Sequence, residues 1–130
     1  MEKRIPSMDA WLEEVKALSS APGIGMYLIH NGTVRRTAKA KVRGGREDAR
    51  NVTGMILSYD ARKVDAAIEK TRKLAGIFCV KVWINEGYLN VGDDMMYVLV
   101  GGDIRPHVEA ALQYLVGCIK NECITETELH

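Results

Sequence analysis

The stretch from Ile77 to Val100, IFCVKVWINEGYLNVGDDMMYVLV, decides the fold. In its first eight residues Phe78, Val80, Val82 and Ile84 alternate with Cys79, Lys81 and Trp83, the period of two that marks a β-strand. Asn85 to Asp94 is rich in turn formers, with Gly87, Asn90 and Gly92, and Asp93 and Asp94 are placed to fix the turn. Met95 to Val100 is a second apolar run and reads as a second strand. Two neighbouring strands joined by so short a connection point to an antiparallel pair.

Downstream, Gly101-Gly102-Asp103 reads as a tight turn leading into a helix with Pro106 in its first turn. Val108, Ala111, Leu112, Leu115, Val116 and Ile119 form the core face of that helix. Lys120 stands at its end, where the helix dipole favours a cation. Upstream, Asp60 caps a helix with a buried stripe of Val64, Ala67, Ile68, Thr71 and Leu74, stopped by Gly76. Val52 to Tyr59 and Ile24 to His30 read as strands. Ser7 caps a first helix through Trp11, Leu12, Val15 and Leu18, ended by Pro22-Gly23. The order helix, strand, loop, strand, helix, strand, strand, helix predicts an α+β fold: a mostly antiparallel sheet with helices packed on one side.

At 130 residues, 47% hydrophobic and 27% charged, the chain has the size and composition of one globular domain spanning residues 1–130. No apolar run nears the roughly 20 residues that span a bilayer. No apolar signal core follows Met1 to Pro6, so the expected compartment is the cytoplasm, with no membrane partner. Three cysteines, Cys79, Cys118 and Cys123, form no pair at metal or redox spacing. Cys79 and Cys118 are expected to be small buried hydrophobes, whereas Cys123 is expected near an exposed segment, where it could react. His30, His107 and His130 have no metal-ligand spacing, and no metal is expected.

Charge is distributed unevenly. Between Arg35 and Arg50 lie seven of the eighteen basic residues, Arg35, Arg36, Lys39, Lys41, Arg43, Arg46 and Arg50, opposed only by Glu47 and Asp48. The formal charge of the whole chain is only +1. Such crowding costs repulsion and suits a site that receives an anion or an acidic partner. With Gly44-Gly45 and few large apolar residues, the segment at about 35–51 is expected to be a mobile loop. It lacks interleaved aromatics for base stacking, so nucleic acid is not the expected partner.

Four patterns in this order resemble the large subunit of molybdopterin synthase, the MoaE family. They are a strand followed by Gly32-Thr33-Val34-Arg35 and a long polar loop; Leu57-Ser58-Tyr59-Asp60 opening a helix; the hairpin Gly87-Tyr88-Leu89-Asn90-Val91-Gly92-Asp93 before an apolar strand; and a turn with Arg105, a helix with Glu109-Ala110, and Lys120 at its end. The resemblance covers roughly residues 24–128. It implies an α/β-hammerhead-like fold and a sulfur transfer that turns a cyclic pyranopterin phosphate into a dithiolene. That pterin phosphate would be a substrate, with no resident cofactor. Sulfur would arrive as a thiocarboxylate on the C-terminal Gly-Gly tail of a ubiquitin-like small subunit. The large subunits would pair as a homodimer within a heterotetramer.

By the same resemblance Lys120 is the catalytic lysine, and Arg35 and Arg105, with Arg36 beside the first, contact the substrate anion. The other basic residues of the loop act as a diffuse field. Three positions depart from the family pattern. Ile104 precedes Arg105 where a histidine is common, Ile84-Asn85 replaces a His-Arg pair, and Glu126 or Thr127 stands at the place of a second lysine. A non-catalytic relative, acting as a dimeric binding or regulatory module, is the alternative these departures leave open.

Overall fold

The computed structural model describes residues 4–38 and 50–130. Lys39, Lys41, Arg43 and Arg46, and with them most of the expected basic loop, lie outside the described residues.

Helix α1 (Met8–Lys16) starts where the Ser7 side chain accepts the Ala10 N–H. A short turn at Ala21–Gly23 leads to β1 (Met26–Thr33). Strand β2 (Gly54–Tyr59) precedes α2 (Ala61–Arg72), which Asp60 caps by accepting from the N–H groups of Arg62 and Lys63. Strands β3 (Ile77–Ile84), β4 (Gly87–Asn90) and β5 (Asp94–Gly102) follow, then α3 (Arg105–Cys118) with Pro106 in its first turn. A π-helical turn (Ile119–Cys123) extends α3, and β6 (Ile124–Leu129) ends the chain.

The fold is α+β, with all strand pairs antiparallel, in two three-stranded sheets ordered β1-β5-β3 and β4-β2-β6. In the first sheet β5 is central and both its faces are covered. Met96, Val98 and Val100 join the main core with Val108, Ala111 and Leu115 of α3 and Val64 and Ala67 of α2. Tyr97 and Leu99 point the other way and pack with Cys79 against Trp11 and Val15 of α1. On that side the Trp11 and Tyr97 rings meet edge-on at 6.2 Å, and Trp83 lies 4.9 Å from Tyr97. The one-sided cover expected of the helices thus describes α2 and α3, while α1 takes the opposite face.

Several local expectations are corrected. Gly101 and Gly102 close β5 instead of forming a tight turn. A β-carbon on Gly101 would fall 2.6 Å from the Cys79 sulfur and 2.9 Å from the Tyr27 ring, so that glycine serves close approach within the sheet. Phe78 does not share the buried face of Val80 and Ile84: Ile77 pairs with Gly102 and Cys79 with Gly101, and this bulge leaves Phe78 exposed. Leu74 lies past the end of α2 and is exposed. Cys123 is buried, and burial pushes its thiol up from its ordinary range, the reverse of a reactive cysteine. Strands β4 and β6 join the expected elements.

No helix among the described residues is long and apolar enough to cross a membrane.

Candidate functional site

A cavity of about 510 Å³ opens between β1 and the C-terminal half of α3. Leu28, Leu112 and Val116 supply apolar wall, and Gly117 adds none of its own. Glu109, Gln113, Lys120 and Asn121 bring polar groups from one side of the helix, and His30 brings an imidazole from β1. Positions 109, 113, 116 and 120 follow helical spacing, so a single stripe of α3 and its π-helical extension builds most of the lining. The π-helical turn shifts the residues after Cys118 relative to a continued α-helix, and Lys120 sits within that turn.

Lys120 is ion-paired with Glu126 of β6. The Lys120 side chain is 25% exposed and that of Glu126 only 5%. Strand register explains the burial. Glu126 lies opposite Leu57, which is in the core, so its side chain shares the inward face of the second sheet. Thr127 lies opposite the exposed Ile56 and shares the outward face. Of the two residues aligned by resemblance with a second lysine, Glu126 is therefore the one that meets Lys120. A carboxylate turned inward needs a countercharge, and Lys120 provides one.

His30 is half-buried on β1. Burial, and then the charge of Lys120, push its imidazole below the ordinary histidine range, which keeps the ring neutral near pH 7. The cavity therefore holds a cation backed by a carboxylate, a neutral imidazole, two side-chain amides and a carboxylate from α3. It can hydrogen-bond a polar ring or acyl group, and at Lys120 it can stabilise negative charge.

The arginines expected beside Lys120 stand apart from it in this subunit. Arg105 opens α3 and Lys120 follows its end, so the fourteen-residue helix separates them by about 20 Å. Arg35 and Arg36 follow β1 and are exposed, and the Arg35 Nε donates to the Thr37 carbonyl at 2.9 Å. None of the three lines the cavity with Lys120. The base of the basic segment is nevertheless fixed. The Arg36 carbonyl accepts from Val52 N at 2.7 Å, and Val34 exchanges backbone hydrogen bonds with Asp93 and Gly92.

Sequence reasoning missed His30, Gln113, Gly117 and Asn121 as lining residues. The signal for Gln113 was present as the stripe it makes with Glu109, Val116 and Lys120. His30 gave none, because only the packing of α3 across β1 brings it to the cavity.

Comparison with solved structures agrees with this fold. Molybdopterin synthase from Staphylococcus aureus matches 95% of this chain and 85% of its own at 15% identity, with a TM-score of 0.71. A molybdopterin biosynthesis MoaE protein from Burkholderia ambifaria matches 96% of this chain and 80% of its own at 21% identity, with a TM-score of 0.67. A complex of subunits 1 and 2 of molybdopterin-converting factor from Helicobacter pylori contains a chain matching 95% of this one and 79% of its own, at 16% identity and a TM-score of 0.65. No curated protein matches the sequence. The model of the MoaE protein family matches residues 6–122, which is most of the chain and includes every element from α1 to α3. The chain belongs to the MoaE family.

Proposed function

We propose that this protein serves molybdenum cofactor biosynthesis as a large subunit of the molybdopterin-synthase type. It would transfer sulfur from a thiocarboxylated ubiquitin-like small subunit to a cyclic pyranopterin phosphate. The observation that carries the reading is Lys120, the lysine singled out by the family pattern, at the wall of a 510 Å³ cavity with His30 facing the same space. Sulfur transfer from an acyl donor develops negative charge on oxygen and sulfur, and an ammonium at that wall would stabilise it. The acyl carrier is a small subunit ending in Gly-Gly, and the complex of two subunits from Helicobacter pylori supports a partner of that kind.

The substrate phosphate needs cations that the Lys120 cavity does not itself supply. Arg35, Arg36 and Arg105 are the proposed donors. Within one subunit they lie away from Lys120, so the reading includes a homodimer, inside a heterotetramer, in which a second copy completes the anion site. The proposed compartment is the cytoplasm, with the pterin phosphate as substrate and no resident cofactor.

The test is turnover. The purified chain, mixed with a thiocarboxylated Gly-Gly partner and the cyclic pyranopterin phosphate, is expected to yield the dithiolene product. No product above background, while an active large subunit works under the same conditions, would falsify the enzymatic reading. One feature favours a second reading, a dimeric binding module without turnover: Glu126 or Thr127 stands at the place of a second family lysine, leaving the site one cation poorer. That reading predicts capture of the small partner on a column of the chain with no dithiolene formed.

A further inference from the structure

We propose that Glu126 is a positioning residue that holds Lys120 as an ammonium aimed into the cavity. This rests on the reading of Lys120 as the group that faces the reacting acyl carbon, and it assigns the lysine an electrostatic part instead of a nucleophilic one.

The three layers of the site carry the inference. Glu126 is nearly buried and does not line the cavity, whereas its partner Lys120 does. The carboxylate therefore meets the ammonium from the strand side, while Lys120 itself lines the cavity. Register fixes this order, because pairing with Leu57 turns the Glu126 side chain inward beneath the π-helical turn that carries Lys120. A carboxylate beside an amine favours its protonated form and restricts where its long side chain can swing. Neutral His30 and the Glu109 carboxylate are then the groups at the cavity able to accept a proton, while Lys120 presents charge.

Acetylation of lysines by N-hydroxysuccinimidyl acetate at neutral pH, followed peptide by peptide by mass spectrometry, tests this without any turnover. The reagent attacks the free amine alone. In E126Q the labelling of Lys120 is expected to accelerate about tenfold, the gain in free amine on losing a neighbouring carboxylate, with the other lysines unchanged. In E126D, which keeps the charge on a shorter stem, Lys120 is expected to label within about twofold of the wild type. Equal Lys120 rates in E126Q and wild type overturn the proposal. So does an equal rise in E126D and E126Q, which would trace the protection to packing. A failed sulfur-transfer assay leaves both labelling outcomes readable, so the two readings fall separately.

Discussion

The Gly76 carbonyl accepts the Asp103 N–H at 2.9 Å and ties the end of the α2–β3 connection to the turn that opens α3. Gly76 does so at a φ of +76°, a conformation that side chains disfavour. A β-carbon there would also lie 2.2 Å from Asp103 Oδ1 and 2.4 Å from His107 Nδ1. Backbone strain and collision therefore add. Gly76→Ala is expected to destabilise the fold by about 2–4 kcal/mol, read as a lower urea midpoint at unchanged slope. A loss below about 0.5 kcal/mol would mean that the Asp103–His107 pair moves aside freely.

That pair gives the fold an acid-sensitive element. The Asp103 carboxylate lies 2.8 Å from His107 Nδ1 and accepts the Ile104 N–H at 2.6 Å. The His107 contact first, and then the backbone N–H, hold the Asp103 carboxyl below the usual carboxylate range. A carboxyl whose folded value lies below its unfolded one stabilises the fold above the unfolded value, about 4, and loses that contribution as pH falls through the folded value. The urea midpoint of Asp103→Asn is expected to lie below that of the wild type at neutral pH, with the gap closing as pH drops below about 4. A gap of constant size across that range would assign the effect to shape instead of charge.

What the sequence made legible follows the strength of local signals. Asp60 and Ser7 cap helices as expected because each acts on backbone N–H groups within three residues. The strand pair β3–β5 was legible from alternation, yet the bulge at Phe78 was not, since it depends on which β5 residue Ile77 meets. Strand β6 was invisible because Thr125, Glu126, Thr127 and Glu128 carry little apolar pattern, and it is pairing with β2 that makes them a strand. The site divides in the same way. Lys120 was singled out by its match to the family pattern, at the end of a helix whose apolar stripe could be read. His30 entered only through tertiary packing of α3 on β1, whereas the separation of Arg105 from Lys120 within one subunit follows from the helix already read between them.

Gly117 is an expensive residue for its position. It lies within α3, where glycine is less favourable than alanine by about 0.5–1 kcal/mol, and a β-carbon there would touch nothing within 4 Å. The empty space it faces is the cavity. Gly117→Ala is expected to raise stability by roughly that amount in a urea titration. Gly117→Leu is expected to fold as well as the wild type while cutting the proposed sulfur transfer at least about tenfold, because its side chain would occupy the proposed ligand volume. Full activity in a folded Gly117→Leu chain would place the reacting groups elsewhere.

His30 links the cavity to stability at mildly acidic pH. Its imidazole is pushed down by burial first and by the Lys120 charge second, so the folded chain binds a proton at this position less readily than the unfolded chain. The sign is therefore the opposite of a histidine that gains an anionic partner. Folding is favoured while the ring is neutral in both states, above the unfolded value of about 6.5. It weakens as pH falls below that value, until the folded ring also protonates. His30→Gln, which keeps a polar group of similar reach without titrating there, is expected to flatten the stability profile just below about pH 6.5. It should leave the limb near pH 4, where Asp103 acts, unchanged. Proton NMR of the imidazole would show the same shift directly. A His30 ring that titrates at or above the ordinary histidine value would mean that the ring is neither buried nor near the Lys120 charge.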